Sequence, residues 1–251
     1  MKIVVVGGTG RIGSRVVADL TEHGHEVLAA APSTGVDALT GEGLTDALTD
    51  AAVVVDLSAS PSFDVTAVRE FVTTSTTNLI SAEREAGVKH HLALTIVGTN
   101  RPQEIPYFAA KAVQENLVRS SGLPYTLVHA TQFFGFFGSI ADVSTEGSVV
   151  RLPGALVQPM AAEDVAAAVA RAAAGGPRGD IEVAGPRQLG LDEFVRRGLT
   201  FRDDPRAVVR DDAAPYFGAQ VGERTLLPIE GAEIAPTTFE QWLARTQPPV
   251  G

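Results

Sequence analysis

A tyrosine and a lysine stand four residues apart in the segment IPYFAAKAVQENLVRS, residues 105–120. These are Tyr107 and Lys111. The segment is typical of a helix, and residues four positions apart share one face of a helix. A tyrosine can protonate a carbonyl oxygen as hydride reaches the carbon, provided that its pKa of about 10 is lowered. A lysine ammonium would stabilise the phenolate and could bind a ribose, so the pair is a candidate for carbonyl reduction, although such spacing also arises by chance.

Thr95 adds a hydroxyl group to this candidate site. It lies in the apolar run LALTIVG, 12 residues before Tyr107, and the run is typical of a buried strand. Open parallel sheets bind their ligands outside the carboxyl ends of the strands, which is where we expect Thr95. There its hydroxyl would orient the oxygen atom of a substrate.

Strands and helices alternate up to about residue 130. Apolar residues recur at helical spacing between the strands, as at Ile12, Val16 and Leu20, and Gly87 predicts the end of a long helix. Strands that alternate with helices favour an α/β fold with a doubly wound, parallel sheet of the Rossmann type. The predicted strands are KIVVV, HEVLAA, AVVVDLS, HLALTIVG and PYTLVHA.

The rhythm of strands and helices weakens in the second half of the chain. We therefore predict a nucleotide-binding core over residues 1–135 and a smaller C-terminal region, 136–251, that packs on the core and covers the substrate. Residues 200–235 are rich in Pro, Asp and Arg and carry no clear periodicity. The whole chain of 251 residues is expected to form one compact unit.

The stretch VVVGGTGRIGSRVV contains two overlapping glycine patterns between a strand and a helix. This context is typical of a dinucleotide-binding turn, where glycines permit a tight turn, close approach to a pyrophosphate and packing of helix on strand. The free N–H groups and the positive dipole end of the helix would face the phosphates. We predict contacts to the dinucleotide from Gly7, Thr9, Gly10, Arg11, Ile12 and Gly13.

The end of the second strand, VLAAAPSTGVD, favours NADPH over NADH. An NAD site usually has an acid there, which holds the ribose 2′-hydroxyl and would repel a 2′-phosphate. Positions 28–36 contain no acid, and Asp37 comes late. Ser33 and Thr34 could donate hydrogen bonds to the phosphate, and Arg11 could bring positive charge, although the two hydroxyls could also simply form a polar turn.

Two further loops supply candidate ligand contacts. In DLSASPSFD, after the third strand, Ser58, Ala59 and Ser60 are expected on the adenosine side of the cofactor, with a solvated loop as the alternative. In VHATQFFGFFG, after the fifth strand, Gln132 could contact the cofactor amide. The same stretch predicts substrate contacts from His129, Phe133 and Phe134. A hydrogen bond within the sheet is the better account of His129, and packing in the core is at least as good an account for two of the four phenylalanines.

Composition excludes several other functions. The net charge of −10 opposes non-specific binding to nucleic acid or anionic membranes. The chain has no cysteine, which excludes disulfides and thiolate sites. Its histidines show no zinc spacing, so we expect no metal site. No apolar run is long enough for a membrane span or a signal peptide, and we expect a cytoplasmic protein.

The sequence resembles the atypical short-chain dehydrogenase/reductases, in their NmrA-like, NAD(P)H-binding subgroup. The resemblance implies a Rossmann-type fold with NAD(P)H in the glycine turn. It also implies a catalytic Tyr–Lys pair at Tyr107 and Lys111, with Thr95 in place of the active-site serine and His129 where relatives have arginine. The motifs that carry it are GGTGRIGSRVV, DLSAS, LTIVGTNRPQEIPYFAAKAVQENLVRSSGLPYTLVHATQFF, LVQPMAAEDVAAAVA and PTTFEQWLA.

Three functions fit these features. The first is an NADPH-dependent oxidoreductase that reduces a carbonyl, a quinone or a conjugated apolar small molecule, either as a monomer or as a homo-oligomer. The second follows from the resemblance, because some NmrA-like proteins bind dinucleotide without turnover and act as redox sensors through a protein partner. The third is a non-redox biosynthetic enzyme on the same fold, such as an epimerase or a cyclase.

Overall fold

The computed structural model describes residues 1–62, 64–101 and 104–246. Within these ranges the strands β1 to β12 are, in order, Lys2–Val6, Glu26–Ala30, Val53–Asp56, His90–Ile96, Tyr125–Ala130, Thr145–Glu146, Val149–Leu152, Leu156–Val157, Gly179–Ala184, Leu189–Gly190, Ala207–Arg210 and Glu233–Ile234. The helices α1 to α8 are Gly13–Glu22, Leu44–Leu48, Val65–Ala86, Pro106–Ser120, Phe137–Val143, Ala162–Ala174, Leu191–Phe201 and Phe239–Arg245.

The main sheet confirms the predicted α/β fold of the Rossmann type. Within the described ranges its seven strands follow the order β12-β9-β5-β4-β3-β1-β2. β1 pairs in parallel with both β2 and β3, β3 pairs in parallel with β4, and β9 pairs in parallel with β12. The strand order therefore reverses at β1, which is the switch point where doubly wound sheets bind their ligands.

Local sequence explains where the long helices start and stop. In α1 the buried residues Val16 and Leu20 lie on one face, as their spacing predicts. Asp64 caps α3, because its carboxylate accepts a hydrogen bond from the Ala67 N–H at 2.9 Å. The predicted end of α3 is confirmed at Gly87, whose φ of +68° is easily reached by glycine. In the described part of the chain, each helix is too short or too polar to cross a membrane.

The chain forms two compact units, each built from separate stretches of sequence. The first unit comprises Met1–Thr95, Ala110–His129 and Val165–Ile181. One apolar core of this unit includes residues of β1 and β3 with α2 and α3, and a smaller cluster joins β4, β5 and α4. The predicted division at residue 135 follows sequence alone and stays a prediction.

The second unit comprises Ile96–Ala109, Ala130–Asp164 and Glu182–Gly251. Its core contains buried aromatic rings, among them Phe134, Phe137, Phe194 and Phe239. Here the stretch 200–235 gains definite structure, because β11 pairs in parallel with β7 and the ring of Tyr216 is buried in this core. This stretch shows no local hydrophobic periodicity because its strand and its buried ring are held by residues that are distant in sequence.

Two neighbouring histidines of β4 are buried in the first unit. His91 Nδ1 lies 2.8 Å from a carboxylate oxygen of Glu83, and both side chains are fully buried. His90 Nε2 lies 2.9 Å from the hydroxyl of Thr126. Burial, and then the charge of His91, lowers the pKa of His90 to about 4. His90 is therefore neutral at neutral pH and resists protonation as the pH falls.

We expect His90 to make folding stability sensitive to mild acid. Its folded-state pKa lies below the ordinary value of 6.5, so its contribution is fully present above pH 6.5 and is lost as the pH falls toward 4. The loss amounts to about 3 kcal/mol of unfolding free energy. Denaturant unfolding at a series of pH values should show a shallower decline for His90→Gln than for wild type, with His25→Gln as control. Equal slopes for His90→Gln and wild type would contradict this.

Candidate dinucleotide and catalytic site

Three loops of the first unit meet at the carboxyl ends of β1, β2 and β3. The N–H of Gly7 donates to Ala30 O at 2.8 Å, which joins the glycine turn to the end of β2. The N–H of Leu57 donates to Val6 O at 2.9 Å, which joins β1 to the loop after β3. The predicted dinucleotide-binding stretches are thus neighbours in space as well as in sequence pattern.

The glycines of the turn have different physical roles. A Cβ added to Gly13 would lie 2.1 Å from Gly7 O, and one added to Gly7 would lie 2.7 Å from Leu57 O. A Cβ on Gly8 would lie 2.7 Å from Val5 O. These three glycines permit backbone to pack on backbone, so they belong to the fold.

Gly10 is different, because it is exposed and an added Cβ would make one close contact. Among the described residues, its added Cβ would meet Gly7 O alone within 4 Å, at 3.2 Å. Thr9, Gly10 and Arg11 are all exposed. α1 starts at Gly13 with Ile12 as its N-cap, and no side chain of the described residues caps this end. An open glycine beside an uncapped helix N-terminus fits an anionic pyrophosphate.

Thr34 and Ser33, the two predicted phosphate contacts at the end of β2, differ in what their hydroxyl groups already bind. The hydroxyl of Thr34 accepts a hydrogen bond from Ala31 N–H at 2.9 Å and lies within 3.0 Å of the carbonyl oxygens of Ala29 and Ala31. This hydroxyl therefore holds the tight turn over Pro32–Thr34. Ser33 is exposed in the same turn, which makes it the better of the two candidates for a ligand contact.

The loop after β3 is held by Asp56, which is buried at the strand end. Its Oδ1 accepts hydrogen bonds from the N–H of Ser58 at 2.9 Å and from the hydroxyl of Ser58 at 2.6 Å. The hydroxyl of Ser60 accepts a hydrogen bond from the N–H of Ser62 at 3.1 Å, and Ala59 is exposed between them. The loop is thus fixed by its own side chains, and the exposed backbone around Ala59 remains the predicted ligand contact.

Lys111 is buried in the first unit. Its Nζ donates to Gln114 Oε1 and to Leu94 O, the latter at 3.3 Å. Burial lowers the pKa of Lys111, and the negative charges of Asp56 and Glu115 oppose that effect. A buried ammonium on a helix, against the backbone of β4, is an unusual and costly feature, of the kind that is common at functional sites.

Thr95 is also buried, and its hydroxyl donates to Glu115 Oε1. Glu115 in turn accepts a hydrogen bond from Arg119 at 3.1 Å. A hydroxyl has a single proton, and here that proton is directed at a carboxylate. Thr95 can therefore accept a hydrogen bond from a ligand, whereas the predicted role of donating to a substrate oxygen would require this bond to break.

His129 belongs to a buried ionic cluster. Its Nε2 lies 3.2 Å from Asp180 Oδ1, and its Nδ1 lies 3.6 Å from Glu115 Oε1. Burial acts to raise the pKa of Asp180, but its hydrogen bonds with Arg119, at 3.0 Å, and with His129 hold that pKa below its usual range. Both ring nitrogens of His129 face carboxylates within the first unit, which agrees with the alternative of a histidine held by hydrogen bonds, and its contact with a substrate stays a prediction.

Tyr107 lies on α4, one turn before Lys111, and is half-buried against the aromatic core of the second unit. Burial raises its pKa. Burial thus acts against the lowered pKa that catalysis would need, and the catalytic role of Tyr107 stays a prediction. The phenol is therefore protonated at neutral pH, which is the form that can donate a proton.

The predicted contacts after β5 also divide into two groups. Phe134 is buried, and its ring centroid lies 5.1 Å from that of Phe239 and 5.7 Å from that of Trp242. It therefore packs in the core, as the alternative account has it, and its contact with a substrate stays a prediction. Phe133 is half-buried and remains available. Gln132 is buried, and its amide nitrogen and oxygen both lack a hydrogen-bond partner among the described residues. A ligand amide has both a hydrogen-bond donor and an acceptor, so it could supply the two partners that this buried side chain lacks.

Sequence reasoning missed four polar residues that organise this region: Asp56, Gln114, Glu115 and Asp180. The first three carry a local signal, because Asp56 ends an apolar strand and the other two follow Lys111 at helical spacings of three and four. Asp180 lies 51 residues from His129 and carries none. In the described part of the chain, no group of three or more His, Asp or Glu side chains is arranged to hold a metal ion.

A model of the NmrA-like family matches residues 1–178. The chain belongs to the NmrA-like family. The matched range contains the glycine turn, Tyr107 and Lys111. One relative is the photosystem II assembly factor Ycf39 of Cyanophora paradoxa. Its sequence is 28% identical to this chain over 156 residues, which cover 56% of this chain and 49% of that protein. The chain spans about half the length of the curated relatives it matches.

Solved structures agree with the fold of this NmrA-like chain. MoeE5 in complex with UDP-glucose and NAD has a TM-score of 0.72 at 20% identity, over 97% of this chain and 96% of that one. An NADPH-dependent quinone oxidoreductase of Escherichia coli, complexed with NADPH, has a TM-score of 0.69 at 18% identity, over 96% and 98%. At these identities the likeness shows the Rossmann-type fold alone.

The glycine roles lead to a direct test. Gly13→Ala should lower the unfolding free energy by about 3 kcal/mol, because its Cβ would meet backbone that cannot yield. Gly10→Ala should cost about 1 kcal/mol or less but weaken NADPH binding about 10-fold or more, since the methyl would occupy the pyrophosphate approach. Denaturant unfolding and fluorescence titration measure the two effects.

Gly176→Ala is the matched control for this pair, because its added Cβ would meet nothing within 4 Å in the described part of the protein. It should leave both stability and NADPH affinity unchanged. Unaltered affinity in a folded Gly10→Ala protein would argue that the turn holds no dinucleotide.

Proposed function

We propose that the chain is an NADPH-dependent oxidoreductase that reduces a carbonyl, a quinone or a conjugated apolar small molecule. The observation that carries the proposal is the buried ammonium of Lys111, in the same unit as the open glycine turn. A buried cation needs a compensating role, and a ribose hydroxyl of a nicotinamide dinucleotide would accept a hydrogen bond from it. The NADPH-bound quinone oxidoreductase shows that this fold hosts such chemistry in another protein.

In this proposal each residue of the candidate site has a separate role. Gly10 and the N-terminus of α1, in the turn that Gly7 closes, hold the pyrophosphate, and Lys111 holds the ribose next to the nicotinamide. The buried amide of Gln132 pairs with the carboxamide. A reduced nicotinamide, when bound, supplies hydride. Tyr107 donates the proton to the substrate oxygen, which requires that a bound ligand lower the pKa that burial raises. The hydroxyl of Thr95, which donates its own proton to Glu115, accepts a hydrogen bond from the ligand.

Replacement of Tyr107 by Phe tests the catalytic part. We expect Tyr107→Phe to lower the rate of NADPH consumption about 100-fold or more on a panel of quinones, aldehydes and enones, because the proton donor is lost. NADPH affinity should stay within about 2-fold of wild type, since the phenol is not assigned to dinucleotide binding. Tyr125→Phe is the matched control. A Tyr107→Phe protein that retains the wild-type rate would exclude Tyr107 as the proton donor.

Replacement of Ser33 tests the preference for NADPH. Ser33→Asp places a carboxylate at the end of β2, where it would repel a 2′-phosphate and accept a hydrogen bond from a 2′-hydroxyl. We expect NADPH affinity to fall about 10-fold and NADH affinity to rise, as measured by fluorescence titration. Ser33→Asn is the uncharged control. An unchanged ratio of the two affinities would place the adenosine ribose away from this turn.

A dinucleotide-binding sensor that acts through a protein partner is the second candidate. Two observations favour it: the proton of Thr95 is committed to Glu115, and the pKa of Tyr107 is raised rather than lowered. The relative from Cyanophora paradoxa is named an assembly factor. If wild type binds NADPH but consumes none with any substrate of the panel, this second function is favoured, and a sensor further requires different affinities for NADP⁺ and NADPH.

A further inference from the structure

A continuous line of hydrogen bonds runs from Lys111 to the loop after β3. Lys111 Nζ donates to Gln114 Oε1, and Gln114 Nε2 donates to Asp56 Oδ2 at 2.8 Å. Asp56 Oδ1 accepts from both the N–H and the hydroxyl of Ser58. The lysine, the glutamine and the aspartate are all buried, and the whole line lies within the first unit. Two stretches far apart in sequence are therefore joined through one amide side chain.

The chemistry of the partners fixes the orientation of that amide. A carboxylate can only accept hydrogen bonds, and an ammonium can only donate them. Gln114 presents its nitrogen to Asp56 and its oxygen to Lys111, so each end meets a partner of the opposite kind. Asparagine has the same groups on a chain shorter by one methylene. An apolar residue of equal length, such as methionine, would leave a buried donor and a buried acceptor without their partner.

The amide also separates two opposite charges. Without it, a buried ammonium and a buried carboxylate would attract each other directly, and a direct ion pair would occupy the N–H groups of the lysine. With it, two of the three N–H groups of Lys111 point to Gln114 Oε1 and Leu94 O. The third remains to be directed at another acceptor.

We propose that Gln114 is a positioning residue, which orients the Lys111 ammonium toward the ribose of the dinucleotide and ties it to the loop that Asp56 holds. This role rests on the proposed function, because it requires a dinucleotide to be bound. It assigns to Gln114 no contact with the ligand. The loop and the lysine then act on the two halves of one ligand, the adenosine half and the nicotinamide ribose half.

The variant Gln114→Met tests this role, with Asn116→Met as the matched control, because Asn116 is an exposed amide on the same helix. Fluorescence and calorimetric titrations compare NADPH with an adenosine bisphosphate that carries the 2′-phosphate and lacks the nicotinamide half. We expect Gln114→Met to weaken NADPH binding about 10-fold and to leave binding of the adenosine fragment within about 2-fold of wild type. The control should change neither.

A second measurement detects the hydrogen bond without any dinucleotide. The NMR titration of the Lys111 side chain should give a lower pKa in Gln114→Met than in wild type, since the buried ammonium loses an acceptor. A titration identical to that of wild type would overturn the positioning role. So would equal loss of affinity for NADPH and for the adenosine fragment, which would indicate a general structural effect.

The two proposals fail in different ways. A wild-type protein that binds no dinucleotide contradicts the proposed function itself. A wild-type protein that binds NADPH, together with a folded Gln114→Met protein that binds it equally well, contradicts the positioning role alone.

Discussion

Contact between backbones at the end of β1 is the constraint on which the candidate site depends. The turn over Gly7 and Gly13 closes so tightly that a single Cβ at position 13 would lie 2.1 Å from a carbonyl oxygen. This closeness starts α1 immediately after β1 and brings the loop after β3 against the turn. The same geometry leaves Gly10 facing outward beside a helix N-terminus. The fold thus leaves backbone atoms suited to bind an anion at the strand where the order of the sheet reverses.

A second constraint is the burial of charge along α4. This helix directs Lys111, Gln114 and Glu115 into the first unit, and each needs a partner because water cannot reach it. β3 supplies Asp56, and β4 supplies Leu94 O and the hydroxyl of Thr95. These groups form hydrogen bonds with the three buried side chains of α4, in two networks. One network leads from the lysine to the loop after β3. The other leads from Thr95 through Glu115 to Arg119, and the charge of Glu115 also acts on Lys111.

Sequence alone predicted the features whose physical cause is local. The glycine turn, the end of α3 at Gly87 and the alternation of strands with helices all follow from neighbouring residues, and the structure confirms the fold they imply. Sequence could not choose between alternatives that depend on distant partners. His129 is engaged by Asp180, and Phe134 by Phe239 and Trp242, each pair remote in sequence. Likewise, β11 owes its place to pairing with β7, which no pattern within residues 200–235 could reveal.

In the proposed function, dinucleotide binding and proton transfer rest on different groups of this protein. The glycine turn, the Asp56 loop and Lys111 all lie in the first unit and are complete without a reactive tyrosine. Proton transfer adds the demand that Tyr107 exchange its proton, against a burial that favours the neutral phenol. It adds the further demand that Thr95 act as an acceptor while Glu115 holds its proton. A chain that met the first set of demands alone would still bind a dinucleotide and could transmit its presence to a partner, whereas a reductase has to meet both.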